Sequence, residues 1–485
     1  MADKKVIGRE CKFVVYIPPP NDRSVDKHCI KEVVHYDDGT TEPTIRIIDN
    51  YKRDFYITKK GFQKHNDKKE WDELDRMNKY QSRECDLMKN VCRAIDFPNF
   101  KGNMKKLCRN PYIYGTDILS TAIIKHSYME KYPECITPYT ECTYDIETDM
   151  IEGHKHIIMA TVSFGKRVFT AVHKEFIGDR MDVIKRLHEK LHKYLGRFIE
   201  ERQIEWEVKL VDTEGEVVTE CFKKIHEWRP DFLAIWNMNF DIPQTLEALK
   251  RANIRPEDVF SDPSIPFAYR FFNYKEGDDV KHNSDGTTKP LGFAERWHSV
   301  FCPSSFYVID PMCVYRQLRN GSQEESSYAL DAILDKEFAD KPDIRKLKFK
   351  EAEGFEKGEW HSLMQANYKL EYVIYNVFDC VSMEILDEKI NDIRSGFPMQ
   401  CEWSDFKTFK SQPKRLADLL HFFALKRGKV MASVSDQMTN ELDLETTSIR
   451  GWITTLPAHL VVENGLRCII ENQWVNTNIR VHVAD

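Results

Sequence analysis

The chain has 485 residues, of which 41% are hydrophobic, 12% aromatic and 31% charged, with a formal net charge of −7. That length admits roughly two to four domains with sizeable cores, and no run of about eighteen apolar residues provides a membrane-spanning helix, so no membrane partner is expected. The acidic balance means that any nucleic-acid binding rests on local basic surfaces.

Thirteen cysteines occur without a Cys-x-x-Cys pair. This argues against zinc sites and for reduced, mostly buried thiols in a cytoplasmic setting. The opening Met-Ala-Asp-Lys-Lys does not read as a signal peptide. Lys12 to Ile17 and Thr44 to Ile48 are strand-like, and Trp71 to Ile95 carries helix-like acidic-basic stretches. Basic residues gather around Phe62 (Lys59, Lys60, Lys64, Lys68, Lys69) and again at Lys101, Lys105, Lys106 and Arg109. A third group, Lys407, Lys410, Lys414 and Arg415, is interleaved with Phe406 and Phe409. Positive charge with aromatics suits single-stranded nucleic acid, although most such clusters are solvated faces.

Glu141 to Met150 reads Glu-Cys-Thr-Tyr-Asp-Ile-Glu-Thr-Asp-Met. Side chains on a strand alternate faces, so Asp145 and Glu147 point the same way. Two adjacent carboxylates repel unless a proton or cation lies between them, and hard cations such as Mg²⁺ or Mn²⁺ take oxygen ligands. Asp231 to Asn237 is apolar and β-prone, as a buried strand is. Asp241 and Pro243 follow, then a helix-like Gln244 to Arg251. Asp241 suits the N-cap of that helix, with Pro243 in its first turn. A carboxylate at a strand-to-helix junction also stands at the carboxyl edge of a sheet, where ligand sites gather. Tyr274 to Gly292 is polar, with Gly277, Asn283, Asp285, Gly286 and Pro290, and reads as a long hairpin or loop. Leu370, Ile374, Val377, Val381 and Ile385 recur at helical spacing, so Tyr368 to Leu386 is an amphipathic helix. Tyr375 and Asp379, four apart, share one of its faces.

Asp-x-Glu, then Asn-x-x-Phe-Asp, then Tyr-x-x-x-Asp, in that order, resembles the three exonuclease motifs of the DEDD nuclease superfamily in its Tyr variant. Ile235 to Pro243, Ser327 to Ile333 and Tyr372 to Cys380 narrow the resemblance to family B DNA polymerases of the T-even-phage type, from about Tyr51 onward. The resemblance implies a mixed α/β chain in four parts. These are an α+β N-terminal domain (1–140), a ribonuclease H-like exonuclease domain with a mixed sheet flanked by helices (141–395), a helical segment returning to the N-terminal domain (396–450, with Leu416 to Leu425 as its apolar stripe), and the first strands of a palm (451–485). In such enzymes a hairpin in the region of 274–292 helps to hold the primer apart from its template.

It further implies two-metal hydrolysis of 3′-terminal phosphodiester bonds with Mg²⁺ or Mn²⁺. Asp145 is expected to bridge both ions, Glu147 and Asp379 to hold the ion with the attacking water, and Asp241 to act on the second ion. Tyr375 is expected to orient the water. Asn237 and Phe240 of the second motif, with Lys410, Lys414 and Arg415, are the expected DNA contacts. Asp485, which closes the β-type run Asn478 to Asp485, is expected to be the first metal-binding carboxylate of the polymerase site. No Lys-x-x-x-Asn-Ser-x-Tyr-Gly stretch and no Asp-Thr-Asp is present. The chain is therefore expected to act with a second polypeptide carrying palm, fingers and thumb. The alternatives are a free-standing 3′–5′ exonuclease and a non-catalytic DNA-binding scaffold.

Overall fold

The computed structural model describes residues 4–432 apart from 22–23, 179–180, 283–285, 320–323, 342–343, 345–348, 350–353 and 356, together with two short paired strands at 467–470 and 473–476. Asp485, and with it the expected palm strand 478–485, lies outside the described residues. The architecture is mixed α/β, built on several sheets.

The N-terminal part opens with an antiparallel meander of β1 (Val6–Ile17), β2 (Lys27–Tyr36) and β3 (Thr41–Asp49). A second sheet sets β4 (Arg53–Thr58) between β6 (Met77–Ser82) and β7 (Ile113–Tyr114). Trp71 to Ile95 is thus not helical throughout. It holds β5 (Trp71–Glu73) and β6, and only then α1 (Leu87–Ala94). Its alternating charges imitate a solvated helix, but pairing with β4 decides the outcome: Phe55 faces Tyr80, and the two rings stack at 5.4 Å. Helix α2 (Ser120–Lys131) covers the meander, packing Ile124 and Tyr128 on Cys11, Val14 and Ile30.

The central part is a six-stranded sheet. Its strands are β8 (Glu141–Thr148), β9 (Ile157–Phe164), β10 (Arg167–His173), β11 (Glu205–Val211), β12 (Phe232–Ala234) and β17 (Tyr307–Ile309), in the order β11-β10-β9-β8-β12-β17. Only β9 runs against the others. Helices α4 (Glu214–Trp228) and α5 (Met238–Arg251) cover one face, over a core that includes Tyr144, Ile146, Phe222, Leu233 and Ile242. Helix α3 (Val183–Arg202) covers the other, with α7 (Lys357–Asn367) and α8 (Lys369–Ile390), over Leu187, Leu191, Val373, Val377 and Val381. Strands buried on both faces explain why β9 and β12 read as nearly continuous apolar runs.

Between β12 and β17 the chain makes an arm. β13 (Asn273–Lys275) pairs with β16 (Ser299–Phe301), and β14 (Val280–His282) pairs with β15 (Thr288–Pro290) as an antiparallel hairpin with exposed strands. After β17 comes α6 (Pro311–Leu318). The segment beyond α8 turns back. Helix α9 (Gln412–Leu425) packs Phe422 on Ile118 and Ala122, and β18 (Lys429–Met431) pairs with β5. The expected apolar stripe of α9 is only partly buried, since Leu416, Leu420 and Phe423 remain exposed. No helix among the described residues is long and apolar enough to cross a membrane, and the described cysteines are free thiols, mostly buried.

The N-terminal and central parts are joined by buried contacts. Phe406 sits among Phe13, Tyr139, Phe232, Tyr307 and Phe397, with ring centroids 5.1–6.1 Å away. Lys31 of β2 donates to the Pro230 carbonyl at 3.2 Å and lies 3.6 Å from the Asp231 carboxylate. Asp231 in turn accepts from the Thr140 amide and hydroxyl, both at 2.9 Å, just before β8 begins. Removing a fully buried aromatic from such a cluster leaves a cavity. Phe406→Ala is expected to cost about 3–5 kcal/mol of stability, read as a lower urea midpoint. A loss under about 1 kcal/mol refutes its role as the tie between the two parts.

Candidate metal centre

Strand alternation sends Cys142, Tyr144 and Ile146 into the core beneath α4 and α5. The intervening Thr143, Asp145 and Glu147 face α8. Three hydrogen bonds mark the contact: Thr143 Oγ1 donates to the Cys380 carbonyl at 3.1 Å, Asn376 Nδ2 donates to Asp145 at 2.6 Å, and Tyr372 Oη donates to Glu147 Oε2. As the strand number rises by two, the helix number falls by four. Asp379, one residue from the first rung and three from the second, brings its carboxylate to the same place. One oxygen each of Asp145, Glu147 and Asp379 lies within 4.8 Å of the others. Glu147 and Asp379 are buried and Asp145 is half-buried.

This donor set is all oxygen and carries three formal negative charges in a poorly hydrated place. Like charges so close oppose ionisation of the whole group. A hard divalent cation relieves that repulsion and takes these ligands, so the residues present fit a metal ion. Burial pushes the Tyr375 hydroxyl well above its usual range, and the Asp379 and Glu147 carboxylates add to the shift. The phenol is therefore a proton donor, not a phenolate. Its ring lies parallel to Tyr372 at 5.8 Å and 4.8 Å from Trp360.

Asp241 stands apart from this group of three. It is not the N-cap that the sequence suggested. α5 begins at Met238, its N-cap is Asn237 in the left-handed region (φ 62°), and Asp241 lies in its first turn with Pro243 deeper inside. The cap is supplied from elsewhere: Asp310, at the end of β17, accepts from the Asn237 and Met238 amides at 3.3 and 2.9 Å. Asp310 also caps its own helix, accepting from Met312 at 3.0 Å. Burial raises its carboxyl to about 6 against these amide bonds. Asp241 is buried as well. Burial pushes its pKa well up, the Ile146 amide opposes this by hydrogen bonding, and Glu147 and Asp310 add negative field. It sits in the first turn of α5, whose Met238 and Ile242 pack in the core with Tyr144 and Ile146.

Several contributors carried no obvious signal: Tyr372, Asn376, Gln365 and His361 around the carboxylates, and Asp310 behind α5. The spacing of Tyr372, Tyr375, Asn376 and Asp379 on one helix face was the one available hint. Among the expected DNA contacts, Phe240 stands 39% exposed in the first turn of α5 beside half-buried Asn237, and Lys410 is exposed. Lys414 instead pairs with buried Asp418, and Arg415 donates to the Gln400 carbonyl and lies over Phe409 at 5.6 Å. Phe406 and Phe409 are buried, so they are core rings and not a stacking surface for bases.

No protein-family model matches this chain, and no curated protein matches it.

Binding of a ligand to the folded state stabilises it by about 2.7 kcal/mol at one hundred times Kd. Mn²⁺ is therefore expected to raise the thermal midpoint of the chelator-treated protein. Asp379→Asn removes one ligand charge and should lose most of that rise. An equal Mn²⁺ shift in both proteins excludes Asp379 as a ligand.

Proposed function

We propose that this chain is a metal-dependent 3′–5′ exonuclease acting on DNA, and that it carries the proofreading domain of a family B DNA polymerase. The observation that carries the reading is the convergence of Asp145, Glu147 and Asp379 from one strand and one helix. A chance Asp-x-Glu on a surface strand has no reason to meet a buried aspartate more than two hundred residues away. The mixed sheet supports a ribonuclease H-like domain. β8 lies inside it and β9 alone is antiparallel; Asp145 and Glu147 are on β8, Asp241 is in the first turn of the helix after β12, and Asp310 directly follows β17.

On this reading Asp145, Glu147 and Asp379 hold divalent cations, with Asp241 at the flank. Such cations, when bound, supply charge neutralisation and a more acidic water at the scissile phosphate. Tyr375 keeps its proton and orients the water whose oxygen forms the new bond to phosphorus. The bond from phosphorus to the 3′ oxygen of the penultimate sugar breaks. The products are a nucleoside monophosphate and a strand with a new 3′ hydroxyl. Phe240, exposed in the first turn of α5, offers an aromatic face to a terminal base. The β14–β15 arm fits the role of a wedge between primer and template. The polymerase carboxylate on this reading is Asp485.

Given Mg²⁺ or Mn²⁺, the protein is expected to shorten single-stranded DNA from its 3′ end. Asp145→Ala should lose several orders of magnitude in rate, since a shared ligand supports the whole site. Gel analysis of 5′-labelled oligonucleotides reads this directly, and full activity in excess chelator would falsify the reading. Tyr375→Phe should lower the rate roughly 10–1000-fold through lost positioning with Mn²⁺ affinity unchanged. A Phe variant as fast as the parent reduces Tyr375 to packing.

A further inference from the structure

Glu147 is the member of the cluster least secured by its own backbone. It is the penultimate residue of β8, and the register of β8 against β9 slips between Glu147, opposite Met159, and Thr148, opposite Ile157. Such an irregularity re-aims side chains at a strand end. What holds the carboxylate is on the other side. Tyr372 Oη donates its hydrogen bond to Glu147 Oε2. The same oxygen of Tyr372 is approached by Gln365 Nε2 at 3.2 Å and by His361 Nδ1 at 2.8 Å. A phenol has one proton and two acceptor sites. With the proton given to Glu147, both other partners must donate, so His361 carries a proton on Nδ1. Gln365 is itself fixed: its Nε2 also donates to the Thr148 carbonyl at 2.9 Å, and its Oε1 accepts from the Met150 amide at 2.8 Å. Tyr372 and Gln365 have no exposed surface. The strand end, α7 and α8 are thus tied together at one phenol oxygen.

We infer that Tyr372 is a positioning residue of the metal centre: its phenol, held by Gln365 and His361, fixes the rotation of the Glu147 carboxylate and so sets the affinity for a divalent cation. The role differs from that of Tyr375, which stacks beside it on the same helix face. Partners that orient a ligand from behind typically change metal affinity roughly 10–100-fold when removed. A donor on one oxygen of Glu147 also prevents the carboxylate from swinging away to seek another partner. This inference rests on the metal-centre half of the function proposed above and is independent of the substrate.

The test is Mn²⁺ titration of the intact chain without DNA, following the electron paramagnetic resonance signal of free Mn²⁺. Tyr372→Phe, which deletes only the hydroxyl, should bind Mn²⁺ roughly 10–100-fold more weakly than the parent. Tyr375→Phe should stay within about twofold. His361→Leu should shift affinity in the same direction by less, and His361→Asn, whose amide keeps a donor near the place of Nδ1, should restore it. The inference is overturned if Tyr372→Phe binds like the parent, or if both Tyr-to-Phe variants weaken binding equally, which is what loss of packing produces. Should Tyr372→Phe fail to fold by circular dichroism, the half-buried His361 decides: equal affinities for the Leu and Asn variants overturn it. A protein that shows the expected split yet degrades no DNA refutes the exonuclease and leaves the inference standing. A parent that binds no Mn²⁺ removes both.

Discussion

Two residues of strand advance about 6.6 Å and four residues of helix about 6 Å, and the site depends on β8 and α8 meeting along that shared step. Thr143 meets Cys380, Asp145 meets Asn376, and Glu147 meets Tyr372, with the two elements running in opposite directions. Because the steps match, one strand face and one helix face stay in contact over three rungs. Each rung pairs a polar group with a polar group, so Asp145 and Glu147 each receive a hydrogen-bond donor from α8. Asp379 is carried into the carboxylate cluster by the same geometry. A slip of one residue in β8 would turn Asp145 and Glu147 into the apolar layer beneath α5 and bring Tyr144 and Ile146 against α8.

The surrounding cores enforce that register. Tyr144 and Ile146 lock one face of β8 among α4 and α5, while Val373, Val377 and Val381 lock α8 over the other face of the sheet. The cluster is therefore preorganised by apolar packing on two sides, and the repulsion among its carboxylates works against roughly two helices' worth of burial.

What was legible in the sequence was local and periodic. Asp145 and Glu147 shared a face because strands alternate. Tyr375 and Asp379 shared one because helices repeat near four. The arm between β13 and β16 was foretold by Gly277, Asn283, Asp285, Gly286 and Pro290. What was illegible depends on which element faces which. Met77 to Ser82 is a strand because β4 offers it a partner, a fact absent from its own composition. Asp241 looked like a cap because nothing near it in sequence announced that Asp310 does the capping from another strand. Gln365 and His361 sit on α7, a helix that no motif marked, and their chemistry appears only once Tyr372 is seen beside Glu147. Lys414 and Arg415 read as free basic groups until Asp418 and the Gln400 carbonyl are found to engage them.

Asp310 joins more than two helix starts. Through α6 it is continuous with Arg316, whose guanidinium meets Glu295 at 2.8 Å at the foot of the arm. The same carboxylate holds the first turn of α5, which carries Asp241 and Phe240. The arm and the flank of the carboxylate cluster are thus braced against a single anchor. A load placed on the arm therefore bears, through Asp310, on the first turn of α5 and on the backbone beside the carboxylates.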